Sequence, residues 1–161
     1  MPLNCRTALT VFCDDVRLEV GNKPSLMGIY SRDMLVPGQM PIILPKLVVV
    51  TWVVTPIDNP IKHLEISIIC PPDRETIVKV TGDRGAEFDL SEMPPDTQRL
   101  IVQQIIPIAP FLVKSDGFIE VEVEADGEKI RSGRLMVRAA PFEVAGENIK
   151  FDLPTASPPP S

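Results

Sequence analysis

From Ile119 to Ala125, apolar residues at every second position alternate with Glu120, Glu122 and Glu124, the period of a strand with one buried face. Asp126-Gly127 follows, a pair suited to the positive backbone angles of a two-residue hairpin turn. That turn sets Glu124 opposite Lys129, Glu122 opposite Arg131 and Val123 opposite Ile130, so opposite charges meet on the exposed face. An unbroken ladder would place Arg134 beside Ile119 on the buried side. A bulge at Gly133 removes that conflict and turns Leu135 and Val137 inward.

The same alternation, weaker, runs through Thr7 to Phe12 and Val16 to Val20, interrupted at Asp14-Asp15. Aspartates at such a bend bond nearby backbone amides. Turn formers from Gly21 to Ser25 then lead into Leu26 to Ser31. Lys46 to Val54 is apolar at both parities, the pattern of a central strand covered on both sides, with Trp52 read as core. His63 to Cys70, Thr76 to Val80 and Arg99 to Ile108 read as further strands. Proline-bearing stretches, VPGQMPIILP (36–45) and TPIDNP (55–60), read as loops, and the two Pro-Pro-Asp triplets at 71–73 and 94–96 as rigid turns. The pattern predicts an all-β chain, an antiparallel β-sandwich of about eight strands, immunoglobulin-like or related. One domain over 1–153 and a disordered or extended proline-rich tail over 154–161 complete the expectation.

Composition narrows the function classes. The 18 prolines are spread through the chain, which argues against long helices because proline removes a backbone donor. A net charge of −6 disfavours nucleic-acid phosphates and anionic lipid surfaces, so neither nucleic acid nor membrane is an expected partner. Aromatic content of 5% leaves few stacking platforms for sugars or single-stranded nucleic acid. Cys5, Cys13 and Cys70 form an odd set without a paired motif, which points to a reducing cytoplasm and to thiols used as small buried hydrophobes. The opening MPLNCRTALTVFCDD has too short an apolar run for a secretion signal, and no run reaches the length of a membrane span.

Candidate chemistry is sparse. His63 is the only histidine and opens a strand, the usual place of a surface residue. Pairing it with Cys13 or Cys70 would be the minimum for a cysteine-dependent enzyme, and no third group supports it. Asp58, Asp73, Asp96 and Asp116 fall in loops and would bind a small ligand or cation only if they converged at one end of the sandwich. Asp14 and Asp15 point to opposite faces of an extended chain and cannot easily share one metal. No glycine-rich phosphate loop is present. The expectation is a protein that is not an enzyme and carries no cofactor, acting by contact with another protein, with the loop aspartates as the alternative.

CDDVRLEVGNKPSLMGIYS (13–31), followed by PIILPKLVVV (41–50), resembles the N-terminal signature of an uncharacterised family of small bacterial and bacteriophage proteins. The resemblance covers residues 8–50 well and the remainder by pattern. It implies an all-β fold and a bacterial or phage origin, the cytoplasm then being the host's for a phage protein, and it lends no activity or ligand. Within it, Asp14, Asp15, Gly21, Gly28 and Tyr30 are first fold-specifying positions. As a candidate interaction surface the sequence offers Asp14, Asp15 and Tyr30, with Gln103 and Gln104, two adjacent amides inside a long apolar strand. Two such strands, 46–54 and 99–113, exceed what one small sandwich readily buries, which predicts a homodimer with 99–113 near the contact.

Overall fold

A computed structural model describes residues 5–83, 91 and 93–140. The expected tail at 154–161 lies outside the described residues. Twelve strands are found among them: β1 (Thr7–Cys13), β2 (Asp15–Glu19), β3 (Lys23–Met27), β4 (Asp33–Pro37), β5 (Ile42–Leu44), β6 (Leu47–Pro56), β7 (His63–Cys70), β8 (Glu75–Asp83), β9 (Arg99–Ile108), β10 (Phe111–Val113), β11 (Gly117–Ala125) and β12 (Glu128–Ala140). A three-stranded sheet, β1-β6-β9, faces a five-stranded sheet, β4-β12-β11-β7-β8, and two hairpin-like pairs, β2-β3 and β10-β5, accompany them. Pairing is antiparallel throughout except between β4 and β12, which run parallel.

The all-β sandwich expected from the sequence is therefore present, with more strands than the eight anticipated. The additional ones come largely from the stretch read as a proline-bearing loop. There β4 ends at Pro37 beside Ala140, and β5 pairs with β10 through Ile42↔Val113 and Leu44↔Phe111. Both are short strands completed by distant partners, so neither shows a periodic run of its own.

The β11–β12 hairpin has the predicted register, with Glu124↔Lys129, Val123↔Ile130 and Glu122↔Arg131. Beyond Glu122 the ladder shifts, so that Ser132 and Gly133 together oppose Val121 and Ile119 meets Leu135. Leu135 and Val137 are buried, as the bulge requires. Gly133 has a second reason to lack a side chain: a Cβ there would lie 2.8 Å from the Cβ of Thr10 on β1. The bulge thus repairs the phase of β12 and lets β1 come close.

Between the sheets lies one continuous core. Phe12, Val49, Val53, Val102 and Ile106 from the smaller sheet meet Leu64, Ile66, Ile68, Ile119, Val121 and Leu135 from the larger. Met34 and Val36 of β4, with Phe111 and Val113 of β10, close the margins. Each such side chain, fully buried, contributes on the order of 1.5–3 kcal/mol before entropy is counted. One polar row crosses the inner face of β1-β6-β9, where Thr10, Thr51 and Gln104 stand in register. Thr10 and Thr51 share a hydroxyl hydrogen bond of 2.8 Å, and Ser132 of β12 bonds Thr10 from the other side. The row ties the two sheets together by hydrogen bonds within an apolar layer.

Arg6 fixes one end of the sandwich. It is buried, and its guanidinium donates to the carbonyl of Ala125 at 3.0 Å, to Thr55 Oγ1 at 3.3 Å, and to Asp126 Oδ2 at 2.7 Å. Asp126 in turn accepts the backbone N–H of His63 at 2.7 Å and that of Lys62 at 3.1 Å. One charge pair therefore joins the start of β1, the loop after β6 and the β11–β12 turn.

Candidate functional site

The segment after Cys13 is a lock on the edge of β1. Asp14 breaks the strand, and its N–H donates to the carbonyl of Met27 at 3.0 Å. The N–H of Tyr30 donates to the carbonyl of Phe12 at 2.9 Å, and the Tyr30 hydroxyl donates to the Asp14 carboxylate. Burial, and then the hydrogen bond to Asp14 and its charge, push the phenol of Tyr30 well above its ordinary range. Asp15 turns the other way and pairs with Lys46, whose hydrogen bond lowers the Asp15 carboxyl. The hairpin β2-β3 that follows closes through Gly21 and Asn22, both with positive φ, and accommodates Pro24 opposite Leu18. Asp14, Asp15 and Tyr30 thus each have a partner within the fold, and that corner behaves as a structural joint.

Gln103 and Gln104 lie elsewhere. Pro107 sits opposite Val48, which sits opposite Cys13, so the corner lies near that end of β9. Gln103 is four residues further along, about 13 Å of strand. The five sequence-derived candidates do not form one surface. Gln104 points inward beside Thr51, whereas Gln103 is exposed beside Trp52.

What Gln103 does join is the outer face of β1-β6-β9. Residues of one parity line up across the three strands: Leu9, Trp52 and Gln103 in one row, with Val54 and Ile101 in the next. At one end the hairpin covers this face, Val16 and Leu26 packing on Cys13, Val48 and Val50. At the other end nothing described covers it. Leu9 is 61% exposed and Ile101 62%, with half-buried Trp52 and Val54 between them. Trp52, expected in the core, is partly open because a strand apolar at both parities does not say which face is covered. Leu18, on the same side of β2 as Val16, is open too, at 65%. No ionisable side chain belongs to these rows, which with Thr7 opposite Val54 form an uncharged, mainly apolar surface of the kind that marks contact sites.

The outer face of the larger sheet is its opposite in character. An open trough of about 900 Å³ runs along β7, β11 and β12, lined by Glu65, Ser67, Glu120, Glu122, Glu124 and Arg131 among others. Arg74 bonds Glu120 at 2.5 Å and Glu122 at 3.2 Å, and Lys79 pairs with Glu65 at 2.8 Å. Its charges largely answer one another across the strands, as on a solvated face.

The remaining candidates do not converge. Cys13 is buried at the far end of β1 from Arg6, seven residues or about 23 Å of strand. His63 lies at the Arg6 end, on Asp126, with its ring on Asp83 at 2.9 Å. Burial raises the Cys13 thiol, then Asp14 and Asp15 raise it further, the reverse of an activated nucleophile. Asp58, Asp73, Asp96 and Asp116 occupy turns and bends, and Asp116 accepts the N–H of Ala139 at 2.8 Å. Among the described residues no three His, Cys, Asp or Glu side chains group as a metal site. No helix among them is long and apolar enough to cross a membrane.

Fold and surface together define an all-β sandwich with one charged, internally paired face and one apolar face that the described residues cover only at one end. The chain belongs to DUF6941, a family of unknown function, whose model matches residues 8–138 and so spans both sheets. No curated protein and no solved structure matches the chain.

Proposed function

We propose that this protein is a non-enzymatic interaction module that works by protein–protein contact, with the outer face of β1-β6-β9 as the contact surface. The observation that carries the reading is the uncharged run of Leu9, Trp52, Val54 and Ile101, left open in a chain whose net charge is −6. Solvent-exposed apolar rows are unfavourable unless something covers them, and an aromatic flanked by aliphatics is the composition of an interface centre. The free thiols of Cys5, Cys13 and Cys70 support a cytoplasmic setting, and the N-terminal signature supports a bacterial or bacteriophage source.

A photoreactive side chain placed at Leu9 or at Ile101, in the cell that encodes the protein, tests this. Both positions are expected to yield the same discrete crosslinked species. Thr81, exposed on the larger sheet, should not. Absence of any adduct at the two patch positions, or equal adducts from Thr81, would overturn the reading.

A further inference from the structure

The direction of the backbone groups on β9 follows from one hydrogen bond at the other side of the sheet and the strand registers. Phe12 gives its carbonyl to Tyr30, away from β6, so the odd-numbered residues of β1 face β6. Through the registers Cys13↔Val48 and Val49↔Ile106, the even-numbered residues of β9 then face β6. Arg99, Ile101, Gln103, Ile105 and Pro107 point their main-chain groups outward, at an edge that no described strand pairs with. Pro107 agrees, since proline fits a strand where its missing N–H faces away from the sheet.

Among the described strands of the two main sheets, this edge is the least defended. The edge of β1 is capped by Asp14 and Tyr30 and approached by the β12 bulge. β8 carries Glu75, Lys79 and Asp83, and β4 is five residues long with Asp33 and Pro37 at its ends. Natural edges are guarded by such charges, prolines and short lengths. β9 is ten residues long, with Arg99 at its start, no ionisable residue from Leu100 to Ile108 and a single proline near its end, so its long middle stretch carries no guard.

We infer that β9 is completed by β9 of a second copy, paired antiparallel about a two-fold axis at Gln103. In that register Gln103 faces its own counterpart, Ile101 faces Ile105 of the other copy, and Arg99 faces Pro107. The odd residues oppose one another as hydrogen-bonded pairs, giving about eight main-chain bonds. Other registers centred nearby set isoleucine against glutamine and leave more of the strand unpaired. Two chains of −6 repel in general, and along this strip, whose one charged residue, Arg99, faces Pro107, they meet without placing like charges together. The result is a continuous six-stranded sheet whose apolar outer faces adjoin. The inference deepens the reading above: the dimer would present a doubled contact face to a further protein. Pairing through a single strand edge belongs with the small, weak contacts, so the association is sought in the micromolar range.

Light scattering of the full chain, from about 1 to 100 µM, should show the mass rise from 17.7 kDa toward twice that value. Gln103→Lys sets two ammonium groups opposite each other at the axis. It should raise the dissociation constant about tenfold or more, with the melting temperature of the monomer unchanged. Gln103→Cys on a Cys5→Ser background should be linked to itself by a short bismaleimide, and Ile101→Cys should not. A monomer at every concentration overturns the inference, as does a dimer indifferent to Gln103→Lys. Neither result touches the crosslinking test at Leu9, which still captures a partner other than this chain.

Discussion

Gly28 packs directly on the carboxylate of Asp14. A Cβ at position 28 would fall 2.6 Å from Asp14 Cγ and 3.0 Å from its Cβ, and the residue sits at φ +66°. The bend at Asp14 and the exit of the β2-β3 hairpin therefore depend on one missing side chain. Displacing Asp14 would also disturb its bonds to Met27 and Tyr30.

Gly28→Ala should cost on the order of 2–4 kcal/mol, combining left-handed strain with overpacking. Gly127→Ala is the control, with φ +84° but nothing within 4 Å of its Cβ, and should cost only about 1 kcal/mol. Urea unfolding of both variants checks the difference. Equal losses would mean that the contact with Asp14 carries no weight.

Charge reversal in the hairpin now has a better site than the most obvious pair. Glu124 faces Lys129 on one side but Glu65 on the other, so Glu124→Lys trades one like-charge contact for another and should be nearly neutral. Glu122 faces Arg131 and Ser67, with Arg74 at 3.2 Å. Glu122→Lys should cost about 0.5–1 kcal/mol, and adding Arg131→Glu should recover part of it. A double variant no more stable than the single in denaturant melts would contradict the register.

These examples show which parts of the fold were legible in the sequence. The β11–β12 bulge was, because Asp126-Gly127 fixes a local register and Arg134 would otherwise enter the core. Its other flank was not, because Glu65 approaches from β7, far along the chain. β4 and β5 were hidden for the same reason, their partners lying on β12 and β10. Arg6 left no local signal at all, since its acceptors lie 49 to 120 residues away. At the site, the Asp14-Asp15 bend was readable from its strand-breaking chemistry. That no described residue covers the face carrying Gln103 depends on the short reach of the β2-β3 hairpin.

The Arg6–Asp126 pair gives stability a pH dependence with a definite sign. Desolvation acts to raise the Asp126 carboxyl, but the hydrogen bonds from His63, Arg6 and Lys62 outweigh it and leave the group below its ordinary value. A depressed carboxyl contributes stability that is complete above its unfolded value, near 3.9, and lost as pH falls through the folded one. Asp126→Asn should therefore be less stable than the native chain by about 1–3 kcal/mol at neutral pH. The gap should narrow below about pH 4, as the native carboxyl itself protonates. Chemical denaturation at pH 7 and pH 3 measures it, and a gap that is constant with pH would show that Asp126 acts by shape alone.

Thiol reactivity tests the non-enzymatic reading from its weakest side. A catalytic cysteine must be both reachable and ionised. Cys13 is buried with its thiol raised by burial, and Cys70 is buried and pushed up to about 11, again by burial first. Cys5 is half-exposed, at the start of the described chain, so its thiol is the most accessible of the three. Iodoacetamide at pH 7.5 should accordingly label Cys5 first, and Cys13 and Cys70 only at rates set by opening of the fold. In denaturant all three should react alike. Peptide mapping by mass spectrometry over a time course separates them. Labelling of native Cys13 as fast as that of Cys5 would require a thiolate that burial between β1, β6 and the β2-β3 hairpin does not allow, and would restore a cysteine nucleophile as a candidate.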